Sequence, residues 1–243
     1  MAIVDLDDQE SWPAGIVDLA QSEARRLAGT TEHYTDLQIK QDHDLLADLL
    51  GHKLRAFHST RLLDAEVSAI RETGLVALSD DLIAARLRHA VAAGALSPKE
   101  AEVIASEHLL NDLDGRGAHR TGQVCFVSGK SAFVDDLDGL LPPLGHWGGE
   151  AIYFAYHETD PRALRLRRIG QPAVVVAHLD LAVGGVHDYQ IDRLLKAFVG
   201  RLLELERVTP EFHYFGDVPS VDIENILRPG DTGYAALGDL PSA

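Results

Sequence analysis

The sequence predicts an α+β fold built on a central mixed or antiparallel sheet. Helical spacing of apolar residues dominates residues 64–110, and strand-like apolar runs dominate the second half of the chain. Strict alternation of strands and helices is absent. A parallel, doubly wound sheet requires that alternation, so its absence favours a fold in which helices and strands are segregated.

Local signals define the helices of the first half. Asp64 opens a helix that Gly74 ends, since glycine readily adopts the left-handed conformation found after a helix. Ser79 caps the next helix. Ser97-Pro98-Lys99-Glu100 forms a capping box with proline at the first helical position, which is the best-defined helix start in the chain.

Apolar runs predict the strands. The first, at Leu54–His58, alternates in hydrophobicity as a half-buried strand does. Four later runs follow it: Gln123–Ser128, Ala151–His157, Pro172–Leu181 and Glu211–Phe215. A long amphipathic helix beginning at Asp188 is inserted before the last of these strands.

The chain of 243 residues shows no internal repeat and no composition change typical of a linker, so a single domain over residues 1–243 is expected. Helical stripes at residues 16–27 and, more briefly, 45–50 make residues 1–52 a helical N-terminal elaboration. Residues 53–226 then form the core.

The formal net charge of −16 repels phosphate backbones and anionic lipid, which argues against a passive nucleic-acid-binding or membrane-binding protein. The acidic start lacks the pattern of a secretory signal, and no apolar run is long enough to span a bilayer. A cytoplasmic protein is therefore expected. No metal-ligand motif is present, so no metal site is predicted.

The strand-like segment Arg55-Ala56-Phe57-His58-Ser59-Thr60-Arg61 carries the first candidate site. Because side chains alternate along a strand, His58 and Thr60 project to one face about 7 Å apart. Two hydrogen-bonding groups so placed suit a ligand lying along the strand. A half-buried histidine satisfied by a neighbour is the alternative.

Three later segments carry further candidates. Gly122–Ser131 ends in a turn with Ser128 and Ser131, which either bind a ligand or simply cap the turn. His146-Trp147-Gly148-Gly149-Glu150-Ala151-Ile152-Tyr153 combines paired glycines with aromatic rings and Glu150. This segment either approaches a ligand closely or is a Gly-Gly turn with Trp147 in the core. Glu211 begins the last strand, and a Val-Pro turn follows that strand.

In this order the four segments resemble ADP-ribosyltransferases, in particular the branch with a His-x-Thr motif that includes DNA-modifying toxins and poly-ADP-ribose polymerases. The resemblance implies a sheet of ADP-ribosyltransferase type, NAD as substrate and His58 on the nicotinamide ribose. It also implies Glu211, or failing that Glu150, as the catalytic carboxylate. The tyrosine expected before the serine turn is missing here.

The resulting hypothesis is an NAD-dependent ADP-ribosyltransferase-like enzyme, such as a toxin or defence effector, with His58 and one of the two glutamates as catalytic residues. Its predicted cofactor contacts are Arg55, His58, Thr60, Arg61, Ser128 and Tyr153. The acceptor of ADP-ribose stays open among protein, nucleic acid and small molecule. The alternative is a catalytically inactive nucleotide-binding protein, or a module that binds a protein partner through its acidic surface.

Overall fold

The computed structural model describes residues 1–27, 33–39, 47, 49–111, 119–135, 137–183, 188–205, 208 and 210–242. The predicted stripe at residues 45–50 falls largely outside these residues. The fold is α+β, as the sequence predicts.

The strands are β1 (Ile3–Val4), β2 (Lys53–Leu62), β3 (Gly74–Leu75), β4 (Gln123–Val127), β5 (Gln171–Asp180), β6 (Glu211–Phe215), β7 (Val218–Pro219) and β8 (Ile223–Leu227). The main sheet has the order β6-β4-β2-β5-β8, and β1 pairs in parallel with the start of β2. Strands β2 and β4 are antiparallel, with Phe57 opposite Val127. Strands β3 and β7 form a separate antiparallel pair.

The helices are α1 (Ala14–Leu27), α2 (Asp64–Thr73), α3 (Asp80–Ala92), α4 (Pro98–Glu107), α5 (Ala132–Asp135), α6 (Leu137–Gly145), α7 (Glu150–Tyr153), α8 (Pro161–Leu166), α9 (Asp188–Leu202) and α10 (Thr232–Ala235). The capping box of Ser97 and Glu100 forms as predicted, and Gly74 ends α2 with a φ of 96°. The strand predicted at Ala151–His157 is wrong, because this segment begins with the short helix α7.

Contacts divide the chain into two compact units, and the prediction of one domain stays a prediction. The first unit comprises Met1–His58, Cys125–Leu137 and Val176–Phe215. Within it α1 packs against α9, and the ring of Trp12 meets Phe198 edge-on at 4.7 Å. The N-terminal elaboration predicted as helical at residues 1–52 contains strand β1 in addition to helix α1.

The second unit comprises Ser59–Val124, Asp138–Val175 and Gly216–Ala243. Its core gathers apolar residues of α3, α4, α7 and α8 around Trp147, which is fully buried. The Trp147 indole N–H donates to the Glu66 carboxylate at 2.9 Å, so the largest side chain of this core is also hydrogen-bonded.

Candidate functional site

His58 lies in the middle of the main sheet, on β2, and is half-buried. Its Nδ1 is 2.8 Å from the backbone oxygen of Cys125 on β4. A carbonyl oxygen only accepts, so Nδ1 carries the proton and the bond fixes the orientation of the ring. The register places His58 opposite Phe126, and the two ring centroids are 5.7 Å apart.

Ser128 follows β4 directly and projects to the same face as His58, since it is two residues from Phe126. It is 0% exposed, and its Oγ has no hydrogen-bond partner among the described residues. Thr60 shares this face by the same alternation along β2, as the sequence predicts. Thr60 belongs to the second unit, whereas His58 and Ser128 belong to the first.

Glu211 is the first residue of β6 and is solvent-exposed. The Tyr214 ring lies 6.4 Å from that of Phe126, which puts Tyr214 on the face of β4 that Phe126 shares with His58. Glu211 is three residues from Tyr214 and therefore projects to the opposite face. There its carboxylate is 3.7 Å from Nε2 of His213. The structure thus does not bring Glu211 and His58 to a common face.

Glu150 occupies the first position of α7 and belongs to the second unit. Gly149 precedes it with a φ of 67°, a conformation that favours glycine, and this is the turn that the paired glycines predict. The Glu150 carboxylate forms an ion pair with Arg120 at 3.1 Å. The contacts described within each unit therefore place neither Glu150 nor Glu211 beside His58.

The two predicted phosphate-binding arginines both project to the face of β2 opposite His58. Arg55 pairs with Asp5 at 2.9 Å. Arg61 is 5% exposed and donates from Nε to the backbone oxygen of Ile169 at 2.7 Å. Burial lowers the pKa of the Arg61 guanidinium. These contacts give both arginines a structural role and do not support their prediction as pyrophosphate ligands.

Tyr153 lies at the end of α7 in the second unit. Its ring packs between two others, 5.2 Å from His146 and 5.6 Å from Phe154. His146 is fixed in turn, because Nδ1 contacts the Pro142 oxygen at 3.1 Å and Nε2 accepts from Nε of Arg167 at 2.8 Å. The second bond requires an unprotonated Nε2, so this arrangement selects the neutral imidazole.

Acidification should therefore weaken the fold as His146 becomes protonated. Burial is the main cause that lowers the pKa of His146, and Arg167 and Arg61 add to it against Glu158 and the Pro142 oxygen. A lowered pKa in the folded state gives stability that is present above the unfolded value of about 6.5 and is lost as the pH falls below it. Burial also lowers the pKa of His108, which acts in the same direction.

Urea unfolding between pH 7.5 and 5.5 checks this expectation. The matched variant is His146→Gln, whose amide can still accept from Arg167 but does not titrate. It should lose part of the pH dependence seen in the unsubstituted protein. Equal slopes of unfolding free energy against pH in the two proteins would contradict the assignment.

The second unit also contains a groove of about 670 Å³ that the sequence did not reveal. Its lining includes Glu107, His108, Asn111, Phe154 and Arg162. Arg162 pairs with Glu107 at 2.5 Å and stacks over the Tyr156 ring at 4.5 Å. The exposed charges are thus already paired within the chain, so the lining selects no ligand class.

Two groups of polar residues were not singled out from the sequence. Glu66 receives three hydrogen bonds in the second unit, and Asp7 binds Arg201 and a backbone N–H in the first. Each joins residues far apart in sequence. The only available signal was Glu66 at the third position of α2, where its carboxylate accepts from the Leu63 backbone N–H as the acidic residue of a capping box does.

Comparisons of the chain with protein-family models, with curated proteins and with solved structures found no match. Among the residues that the structure describes, no three His, Cys, Asp or Glu side chains are grouped so as to hold a metal ion. No helix in the described ranges has both the length and the apolarity needed to cross a membrane.

Proposed function

We propose that the chain is an NAD-using, ADP-ribosyltransferase-like enzyme whose cofactor contacts His58 and Ser128. The observation that supports this most is the position of these two side chains on one face of the sheet within one unit. They come from the two segments that resemble the first and middle strands of that family. The sheet of ADP-ribosyltransferase type is part of the same proposal.

The residues on this face fit the ribose of NAD better than its phosphates. The Nδ1–H of His58 donates to the Cys125 oxygen and so orients the ring, and an imidazole can hydrogen-bond a ribose hydroxyl. The Oγ of Ser128 is a buried hydroxyl with no partner among the described residues, and such a group gains stability from a hydrogen bond. Phe126, which lies opposite His58 and two residues before Ser128, is buried.

The chemistry needs a carboxylate as well. Departure of nicotinamide leaves an oxocarbenium-like ribose, which a fixed negative charge stabilises. Glu211 stays the proposed catalytic residue because it lies in the same unit as His58 and occupies the family position at the start of the last strand. Glu150 is the second candidate. Catalysis by Glu211 requires the substrate to reach around the edge of β6 or β6 to rearrange.

The same observation favours a second function, a protein that binds NAD without transferring ADP-ribose. In that case Glu211 lies on the far face of β6 because no catalytic carboxylate is needed. The two functions share the His58 and Ser128 contacts and differ only in turnover, so one set of measurements separates them.

The test is incubation with NAD labelled in the nicotinamide ring, with nicotinamide release and the NAD-dependent shift in melting temperature as readouts. Replacing the catalytic glutamate by glutamine should lower release by about 10²-fold or more with the fold intact. His58→Ala and Ser128→Ala should each weaken NAD binding by about tenfold, the cost of one hydrogen bond. Glu72→Gln and His157→Ala, both exposed, are the matched controls.

Release that disappears in Glu211→Gln or Glu150→Gln supports the enzyme. A thermal shift that His58→Ala reduces, without any release, supports the binding protein. If neither a shift nor release is found with the unsubstituted protein, both functions are excluded.

A further inference from the structure

The turn that follows β4 holds the carboxylate of Asp7. The Lys130 backbone N–H donates to Oδ2 of Asp7 at 2.7 Å, and Nη2 of Arg201 donates to Oδ1 at 2.6 Å. Both oxygens of one carboxylate are thus bound, one by a backbone amide and one by a guanidinium. All of these residues lie in the first unit.

Residues of the turn contact the Arg201 guanidinium closely. Nη2 of Arg201 also donates to Oγ of Ser131 at 2.7 Å, and that hydroxyl donates to the Val208 oxygen at 3.0 Å. Gly129 allows the close approach, because a Cβ there would lie 2.9 Å from Nη2 of Arg201. Asp7 and the turn residues Gly129 and Ser131 thereby fix the Arg201 guanidinium of α9 at a defined position.

Nε of Arg201 is buried at this turn and has no hydrogen-bond partner among the described residues. A carboxylate has two oxygens, and both are already used. A phosphate group has more oxygens in a tetrahedral arrangement, so it can accept from additional donors around the same position.

We propose that the Lys130 backbone N–H and Arg201, which Ser131 holds in position, form a binding subsite for the phosphate group of a small phosphorylated ligand, and that Asp7 occupies it in the ligand-free protein. The Asp7 carboxylate acts as an internal competitor, since a phosphate must displace it. The Asp7 side chain is 20% exposed and precedes Asp8 in an acidic loop, so it borders solvent. Lys130, whose backbone N–H is the other donor, also brings a positively charged residue to the turn.

This subsite does not depend on the proposed function. Inorganic phosphate is a sufficient probe, and none of the measurements below involves NAD or nicotinamide. Failure of the NAD experiments therefore leaves the subsite standing, and failure of the subsite leaves the His58 face untouched.

The test measures binding of inorganic phosphate by isothermal titration at constant ionic strength, with chloride as the compensating anion. Asp7→Ala should bind phosphate more tightly than the unsubstituted protein by about tenfold or more, the order expected for one or two charge-assisted hydrogen bonds. Asp18→Ala is the matched control, because it removes an exposed carboxylate of α1 and changes the net charge equally. The double variant Asp7→Ala with Arg201→Gln should lose the gain.

Circular dichroism melting of each variant establishes that it is folded at the titration temperature. Should Asp7→Ala unfold, Asp7→Asn replaces it, because the amide keeps the size of the carboxylate and removes its charge. The proposal is overturned if the Asp7 variant binds phosphate no more tightly than Asp18→Ala. It is equally overturned if the gain persists after Arg201 is replaced.

Discussion

Replacing Glu66 by alanine should lower the free energy of unfolding by about 3–5 kcal/mol, the cost of leaving a buried ionic partner uncompensated. Glu66 is 6% exposed. It accepts from Nε of Arg86 at 2.6 Å, from Nε1 of Trp147 at 2.9 Å and from the Leu63 backbone at 2.7 Å. The Arg86 guanidinium also lies 5.1 Å from the Trp147 ring centroid. Chemical denaturation followed by tryptophan fluorescence measures the effect.

Glu66→Gln is the informative companion variant. All three groups that Glu66 contacts are donors, so the amide nitrogen of glutamine must face one of them. This variant should therefore also destabilise, by about 1–3 kcal/mol for an unsatisfied buried donor. Glu72→Ala, on the exposed part of the same helix, should change stability by no more than about 0.5 kcal/mol. Equal effects of Glu66→Ala and Glu72→Ala would contradict the network.

Replacing Gly74 by alanine should destabilise the second unit by about 2–5 kcal/mol, from backbone strain and steric overlap together. Gly74 has a φ of 96°, and a Cβ there would lie 2.0 Å from the backbone oxygen of Val218. That oxygen belongs to β7, which pairs with β3, so relief of the overlap requires separation of the two strands. Hydrogen exchange of the Leu75 amide, together with the unfolding midpoint, reports the separation.

Gly94→Ala provides the control for conformation alone. Gly94 has a φ of 68°, but a Cβ there meets nothing within 4 Å. Its substitution should cost about 1–2 kcal/mol, which is the penalty for alanine in the left-handed region. If the two glycine variants are destabilised equally, contact with β7 is not what requires glycine at position 74.

Helix boundaries were predictable wherever a local signal sets them. Ser79 and Ser97 cap their helices through side-chain oxygens, as their positions before helical stripes indicate. The strand predicted at Ala151–His157 failed because a short apolar run fits a buried helix as well as a strand. The next helix, α8, has a clear local start, because Asp160 caps it and Pro161 stands at its first position.

The sequence predicts the relative positions of site residues only when they lie on the same strand. The strand that carries His58 was predicted, and alternation along β2 puts His58 and Thr60 on one face. The face of Glu211 depends on the pairing of β6 with β4, and no pattern within β6 reports that register. The contacts of Asp7 and Arg201 likewise join residues 194 apart in sequence. Such pairings follow from packing of the whole chain.

Many of the arginines described above already have acidic partners within the chain, including Arg55, Arg86, Arg162 and Arg201. The chain has 38 acidic residues and 22 Lys and Arg residues, so its formal net charge stays at −16 even when these pairs form. This net negative charge repels a negatively charged metabolite as it approaches, which slows its association with the protein. Dissolved salt shortens the range of that repulsion to about 10 Å at 0.1 M, so encounter should be faster in salt than in dilute buffer.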